Sequence, residues 1–587
     1  MGAFLLFKEN NIEIRKIEET YSSSIEVFKN KQLPLVKRFV YDNFILFLFG
    51  KQKVDVDNYL KIGDGFIAGT GTYIYKNNKG AKALNDIYSD FNVSVDFPDN
   101  IRGNYAIILF KENRLFLFND YQGLYHIFTN KSQSIFSSSI LAIAKSMDKL
   151  SISKQEFYEY VLTGASYGDK TVFEEIDLVN SRVVHQISLQ KKTTIRKNIF
   201  QERFSTLSNL PLDNLLEKVS AELVNYFDEV KSAFVNDIIT PITGGFDSRL
   251  IYAVMNNTGI IPHSAFVLKK DYQKDVEIAQ EIADHYKVPL LKLSNDFPNF
   301  KEDKSLETLK TQYYLYDGLG IGGVFQYFSG LDVWARLPYR KLLLDGGGGE
   351  IYRNMHRLPN RSMMIRKYIE RVLNKGDIRI CGESFNSEEY TNNLENKIMQ
   401  ALSVNRKSLS RIETERIFPE FYLKYWMGSI NSLANQFSYY LTPFSDECIA
   451  AQSNKLPHNY KLSGYFEAKL IKFLSPELAK FQSNYGVNFY DGFTLRNQFV
   501  ELMKIYTATQ LKKNLKRLLP RKNKKVNLPF YGQQSYVQES LKLDEYVKEL
   551  LCKSDLEVSK YIDFSKAVQP AAVSRALSVE LIMSRKF

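Results

Sequence analysis

At 587 residues, with 44% hydrophobic and 25% charged side chains and a formal net charge of +12, the chain is too long for one ordinary core and too apolar for an extended disordered tract. Three cysteines, Cys381, Cys448 and Cys552, at spacings that fit neither a zinc site nor a secreted disulfide framework, point to a reducing compartment and a cytoplasmic protein. The most apolar internal run, Phe44 to Phe49, falls far short of the roughly 20 residues of a membrane helix, and the opening Met-Gly-Ala-Phe-Leu-Leu-Phe lacks the basic start of a signal peptide.

In chain order, that opening reads as a buried strand. The apolar runs Phe44–Phe49, Phe66–Ala68, Tyr105–Phe110, Leu115–Phe118 and Ile127–Phe128 follow between turn residues, which predicts a sheet-rich domain over residues 1–200. From Leu212 strands alternate with long amphipathic helices, the pattern of a parallel sheet covered by helices over 212–587. Asp237–Thr243 predicts a strand, Arg249–Met255 the start of a helix, Ser264–Leu268 a strand, Asp275–His285 a helix and Leu290–Leu293 a strand. Ligands of such sheets bind at the carboxyl ends of strands, which singles out the connector Thr243–Ser248.

That connector reads Thr243-Gly244-Gly245-Phe246-Asp247-Ser248. Two adjacent glycines allow a sharp turn with converging N–H groups, and the following helix adds its positive end, so the loop suits a polyphosphate. Thr243 and Ser248 offer hydroxyls. Asp247 would repel phosphate unless a divalent cation stands between them, which implies Mg²⁺. A plain turn into a helix capped by Asp247 or Ser248 is the simpler alternative. The lysine that ends a Walker loop is absent. Further on, Leu342–Leu344 is a short apolar strand running into Asp345-Gly346-Gly347-Gly348-Gly349-Glu350, again a turn suited to close approach by a ligand.

The first string resembles the Ser-Gly-Gly-x-Asp-Ser loop of ATP pyrophosphatases, and the second the Ser-Gly-Glu-Gly-Ala/Ser-Asp-Glu loop of asparagine synthetases. Asp345 stands for that motif's serine, Gly347 for its first glutamate and Glu350 for its metal-binding aspartate. The resemblance implies ATP and pyrophosphate binding at Thr243, Gly244, Gly245, Asp247, Ser248, Val267, Asp345 and Gly346, with Mg²⁺ shared by Asp247 and Glu350. Asp275–Ala279, Thr442–Asp446, Ser475–Lys480 and Ser574–Leu581 follow in the family's order. Lys480 falls near the family's lysine for the adenylate, so Asp247, Glu350 and Lys480 form the catalytic set.

Gly103–Ala106 and Phe116–Gly123 resemble strands of the family's glutamine amidotransferase half, whose second residue is a nucleophilic cysteine. Here that residue is Gly2, and no cysteine precedes Cys381. The resemblance therefore implies an α+β, sandwich-like Ntn-type N-terminal domain without glutaminase activity, then an α/β parallel-sheet ATP-pyrophosphatase domain with a helical C-terminal part. It is nearest to the cysteine-less kind, β-lactam synthetases and lasso-peptide cyclases, acting on a carboxylate in a peptide or natural-product precursor that carries its own amine. Ammonia-dependent asparagine synthesis and a catalytically silent ATP-binding scaffold stay open, the latter because of Gly347 and Glu350.

The six histidines show no metal-ligand spacing and read as packing or surface residues. Arg353, Arg357 and Arg361 follow the second loop at helical spacing and read as a solvated face or a row facing phosphates. The basic stretch 511–525 reads as a solvated helix end and loop ahead of a docking patch for an acidic partner, a leader peptide, nucleic acid or an anionic membrane, since no aromatic pattern accompanies it.

Overall fold

The computed structural model describes the chain except residues 9–20, 42, 57, 93–99, 188–191, 197–209, 236, 270–272, 295–303, 326–340, 375, 494–498, 500–501, 504, 506–532 and 568. The basic stretch 511–525 and the expected boundary beyond Arg196 lie outside the described residues.

Two antiparallel sheets form the N-terminal part. The first has the order β10-β8-β9-β1-β3-β2 and the second β12-β11-β7-β6-β5-β4. These strands are β1 Ala3–Lys8, β2 Leu35–Tyr41, β3 Phe44–Phe49, β4 Tyr59–Ile62, β5 Gly65–Ile74, β6 Arg102–Lys111, β7 Arg114–Asn119, β8 Phe128–Asn130, β9 Ile135–Ser137, β10 Ile176–Leu178, β11 Val183–Ile187 and β12 Lys192–Ile195. Side chains of a strand alternate between its faces, and here both faces are buried. From β1 and β3, Phe4, Leu6, Leu46 and Leu48 pack against Phe66, Ala68, Ala106 and Ile108 of the second sheet. The opposite faces, Leu5, Phe7, Ile45 and Phe47 on one side and Tyr105, Ile107, Phe116 and Phe118 on the other, pack under helices. Burial on both sides explains why the apolar runs are continuous instead of alternating.

The second sheet system is parallel throughout, with the order β15-β14-β13-β16-β19. Its members are β13 Ile238–Pro241, β14 Ser264–Lys269, β15 Leu290–Ser294, β16 Leu342–Leu344 and β19 Tyr439–Leu441, while β17 Met363–Met364 and β18 Ser408–Leu409 pair separately. Helices Phe246–Asn257 and Gln273–Tyr286 link the first three strands, matching the expected β-α-β-α-β succession. The chain runs from β13 outward to β15, then returns to the other side of β13 for β16. That reversal opens a crevice at the carboxyl ends of β13 and β16.

The two parts share buried surface. Thr72 Oγ1 donates to Asn435 Oδ1 at 2.7 Å and accepts from Tyr440 N, and Arg102 pairs with Glu222, Glu229 and Asp446. The closing helix Pro570–Ser584 packs into the same core as β1 and the helix Lys154–Thr163. Among the described residues no helix is long and apolar enough to cross a membrane.

Candidate functional site

Both glycine loops emerge at the crevice. After β13, Gly245 is the residue at which the helix Phe246–Asn257 begins, and no side chain caps it. The first-turn N–H groups of a helix have no partner within the helix, so they remain available to an anion. The alternative of a helix capped by Asp247 or Ser248 does not hold. The two amides that the sequence offers to phosphate are engaged instead: Gly244 N–H donates to Asp275 Oδ1 at 2.8 Å, and Gly245 N–H to Thr243 Oγ1 at 3.0 Å. Thr243 and Ser248 bond to each other through their hydroxyls at 2.7 Å. The anion-binding role therefore moves from Gly244 and Gly245 to the first turn behind them.

The helical C-terminal part closes over this loop. Asn484 N–H donates to Gly244 O at 3.1 Å, and a side chain at Gly244 would collide with Asn484. Arg249, read from sequence as a helix residue, donates to Thr243 O, Phe481 O and Gln482 O. Phe246 stacks on Phe489 with ring centres 4.6 Å apart.

After β16, the turn Asp345–Glu350 wraps the Asp247 side chain. A Cβ at Gly346 would lie 3.0 Å from Asp247 Cβ, one at Gly349 would collide with Asp247 Oδ1, and Gly348 needs a φ of +90°. Asp345 accepts from Gly347 N–H at 2.6 Å. At Gly347 a Cβ would meet the Met427 methyl, the far end of a flexible side chain.

Four carboxylates gather here. Burial raises the Asp345, Glu350 and Glu467 carboxyls, and the negative charge of Asp247 raises each further; Glu350 is pushed up to about 7. Arg353 stands among them. Its Nη2 donates to both Asp247 oxygens, at 2.7 and 2.8 Å, and its Nε lies 3.1 Å from Glu467. Burial opposes its charge, yet Glu467, Asp247 and Glu350 hold the guanidinium protonated above its usual range. The expected row Arg353, Arg357, Arg361 does not form, because a single turn, Gly349–Tyr352, follows the loop; Arg357 and Arg361 are exposed. Glu467, unremarkable in sequence, is fully buried beside the site. A small pocket opens next to Glu350 and Arg353, lined also by His356, Tyr368, Asn454 and Lys461.

Two expected residues stand apart. Lys480 is exposed and pairs with Glu477 at 2.6 Å, so the structure does not bring it to Asp247 and Glu350. Solvent holds it because it sits on a short surface helix, Pro476–Lys480. The Val267 side chain is buried in the hydrophobic core with Leu250 and Ile278, which leaves only its backbone for a ligand.

At the expected nucleophile position, Gly2 N–H donates to Phe49 O at 2.9 Å and Gly2 O accepts from Tyr125 at 2.9 Å. A Cβ there would stand 2.5 Å from Gly50 O. A larger pocket lies where the two parts meet, lined by His126, Phe128, Tyr160, Tyr425, Ser429 and Ser432 among others. Burial draws the His126 imidazole down to about 4, and its Nε2 lies 3.1 Å from Lys424 O. Its place in this wall has no sequence signal.

No family model matches the chain, and no curated protein matches it. Among solved structures, the allosteric regulatory enzyme of purine biosynthesis aligns at 10% identity over 51% of this chain and 67% of its own, with a TM-score of 0.22. Glutamine phosphoribosylpyrophosphate amidotransferase from B. subtilis, complexed with ADP and GMP, aligns at 10% identity over 60% of this chain and 77% of its own, with a TM-score of 0.20. Likenesses this slight carry no argument, and the functional reading rests on the residues.

Proposed function

We propose that the chain is an ATP-dependent amide-forming ligase or cyclase, with an Ntn-type N-terminal domain that does not hydrolyse glutamine. It adenylates a substrate carboxylate, releases pyrophosphate and joins the acyl group to an amine held alongside. The observation that carries this reading is the meeting of two glycine loops, from adjacent strands at the sheet's reversal, around the carboxylate of Asp247.

The residues fit a divalent cation, since the Asp247 and Glu350 carboxylates act on each other electrostatically at the crevice, Asp247 keeps partial solvent access, and carboxylate oxygens are the ligands such a cation takes. Asp247 and Glu350 are the residues that would hold Mg²⁺, which supplies charge neutralisation for the phosphates when bound. The first-turn amides of the helix Phe246–Asn257 receive the leaving pyrophosphate. One oxygen of the substrate carboxylate attacks the α-phosphorus, the bond from that phosphorus to the bridging oxygen breaks, and the amine then displaces AMP from the acyl carbon. Holding acyl and amine partners together supplies much of the rate.

Pyrophosphate release with ATP, Mg²⁺ and a panel of carboxylates and peptides tests the proposal. Release with one partner class, lost at least 100-fold in Glu350→Gln, supports it; equal release by the variant contradicts it. Activity on aspartate and ammonium alone would make the chain an ammonia-dependent asparagine synthetase. The silent-scaffold reading draws on the amides of Gly244 and Gly245 being already bonded, and it expects ATP binding with no release for any partner.

A further inference from the structure

Arg353 occupies the carboxylate that the ligase reading gives to the metal. A single nitrogen, Nη2, reaches both Asp247 oxygens, while Nε faces Glu467, a fully buried side chain on the helix Tyr465–Leu474. The guanidinium lies 5.2 Å from the Phe246 ring centre, a favourable position for a cation over an aromatic face. A divalent cation on Asp247 would stand directly against this positive charge. Asp247, however, already has a cationic partner in Arg353, and a partly buried carboxylate that loses its partner is costly.

We propose that Arg353 is the internal counter-cation of the pyrophosphate loop, exchanged for the metal when the nucleotide arrives. In the empty loop it holds Asp247 against the Gly346–Gly349 turn. With a metal–nucleotide complex bound, Asp247 would be a ligand of the metal, and Arg353, still paired with Glu467, would have its Nη groups free for the phosphate oxygens. The exchange makes free metal a poor ligand and the metal–nucleotide complex a good one, since only the latter brings anions to receive the displaced guanidinium. This inference rests on the ligase reading for the nucleotide and for the metal on Asp247.

The test is calorimetric titration of Mn²⁺ alone into the nucleotide-free full chain. Wild type should bind it weakly and Arg353→Met at least tenfold more tightly, with the gain abolished by adding Asp247→Ala. A merely structural arginine would give the opposite, because its loss would loosen the loop. Since Arg353→Met leaves Glu467 buried and unpaired, the double variant Arg353→Met with Glu467→Gln is titrated in parallel. Unchanged or weaker Mn²⁺ binding in the folded variants overturns the exchange. Separately, failure of wild type to bind Mg·ATP overturns the ligase reading, while the Mn²⁺ comparison still decides the exchange.

Discussion

Gly2 and Gly349 both stand where no side chain fits, and the atoms that exclude one differ. At Gly2 the obstacle is backbone, the Gly50 oxygen 2.5 Å from a would-be Cβ, and the neighbourhood is a sheet interior held by Phe49 and Tyr125. At Gly349 the obstacle is the Asp247 carboxylate, which has partial solvent access and a guanidinium partner. One glycine permits close packing of chain on chain. The other leaves room for a functional group, and with the reversal of strand order that distinguishes a site from a core.

Substitutions at the two glycines should separate them. Gly349→Ala pushes the Asp247 carboxylate out of its cradle, so Mg·ATP affinity should fall by about 100-fold, an effect of nearly 3 kcal/mol, with the chain still folded; unchanged affinity would show that the turn does not set Asp247. Gly2→Cys should destabilise the fold by about 1–3 kcal/mol through overpacking and confer no glutamine hydrolysis. Measurable thioester formation on that cysteine would break the contrast.

The meeting of the two parts gives a pH effect of similar size. A neutral His126 with its pKa drawn down to about 4 binds fewer protons than it does unfolded, so stability is full above about pH 6.5 and falls as pH drops toward 4. Between pH 7.5 and 5 this one group should cost about 2 kcal/mol, read as a lower urea midpoint. His126→Gln should remove that part of the pH dependence, and an unchanged profile would contradict the assignment. The smallest effect belongs to Lys480→Ala. With Lys480 exposed, paired to Glu477 and lying over the Tyr490 ring, stability should change by less than about 0.5 kcal/mol and Mg·ATP binding not at all; a tenfold loss would return Lys480 to the site.

The strands at Phe44–Phe49, Tyr105–Phe110 and Leu115–Phe118 and the alternation from Ile238 to Ser294 were legible because burial on both sheet faces, and helices over both sides, write long apolar runs. Short or exposed strands were not: Leu35–Tyr41 has mostly exposed side chains and Tyr59–Ile62 no fully buried one. The two loops and their acids could be read because glycine-rich turns after apolar strands are local features. Arg353, Glu467 and Asn484 reach Asp247 and Gly244 from other segments, and no spacing in the sequence encodes that convergence. Lys480 is exposed beside Glu477 for the converse reason: proximity along a motif does not fix where a long, flexible side chain points.

The most direct test of the account is calorimetric titration of Mg·ATP into wild type and Asp247→Ala, which requires no knowledge of the acceptor. Binding by wild type, lost at least 100-fold in the variant with the fold intact, is the expected result. Equal binding by both proteins, or none by folded wild type, would contradict a nucleotide site built around Asp247.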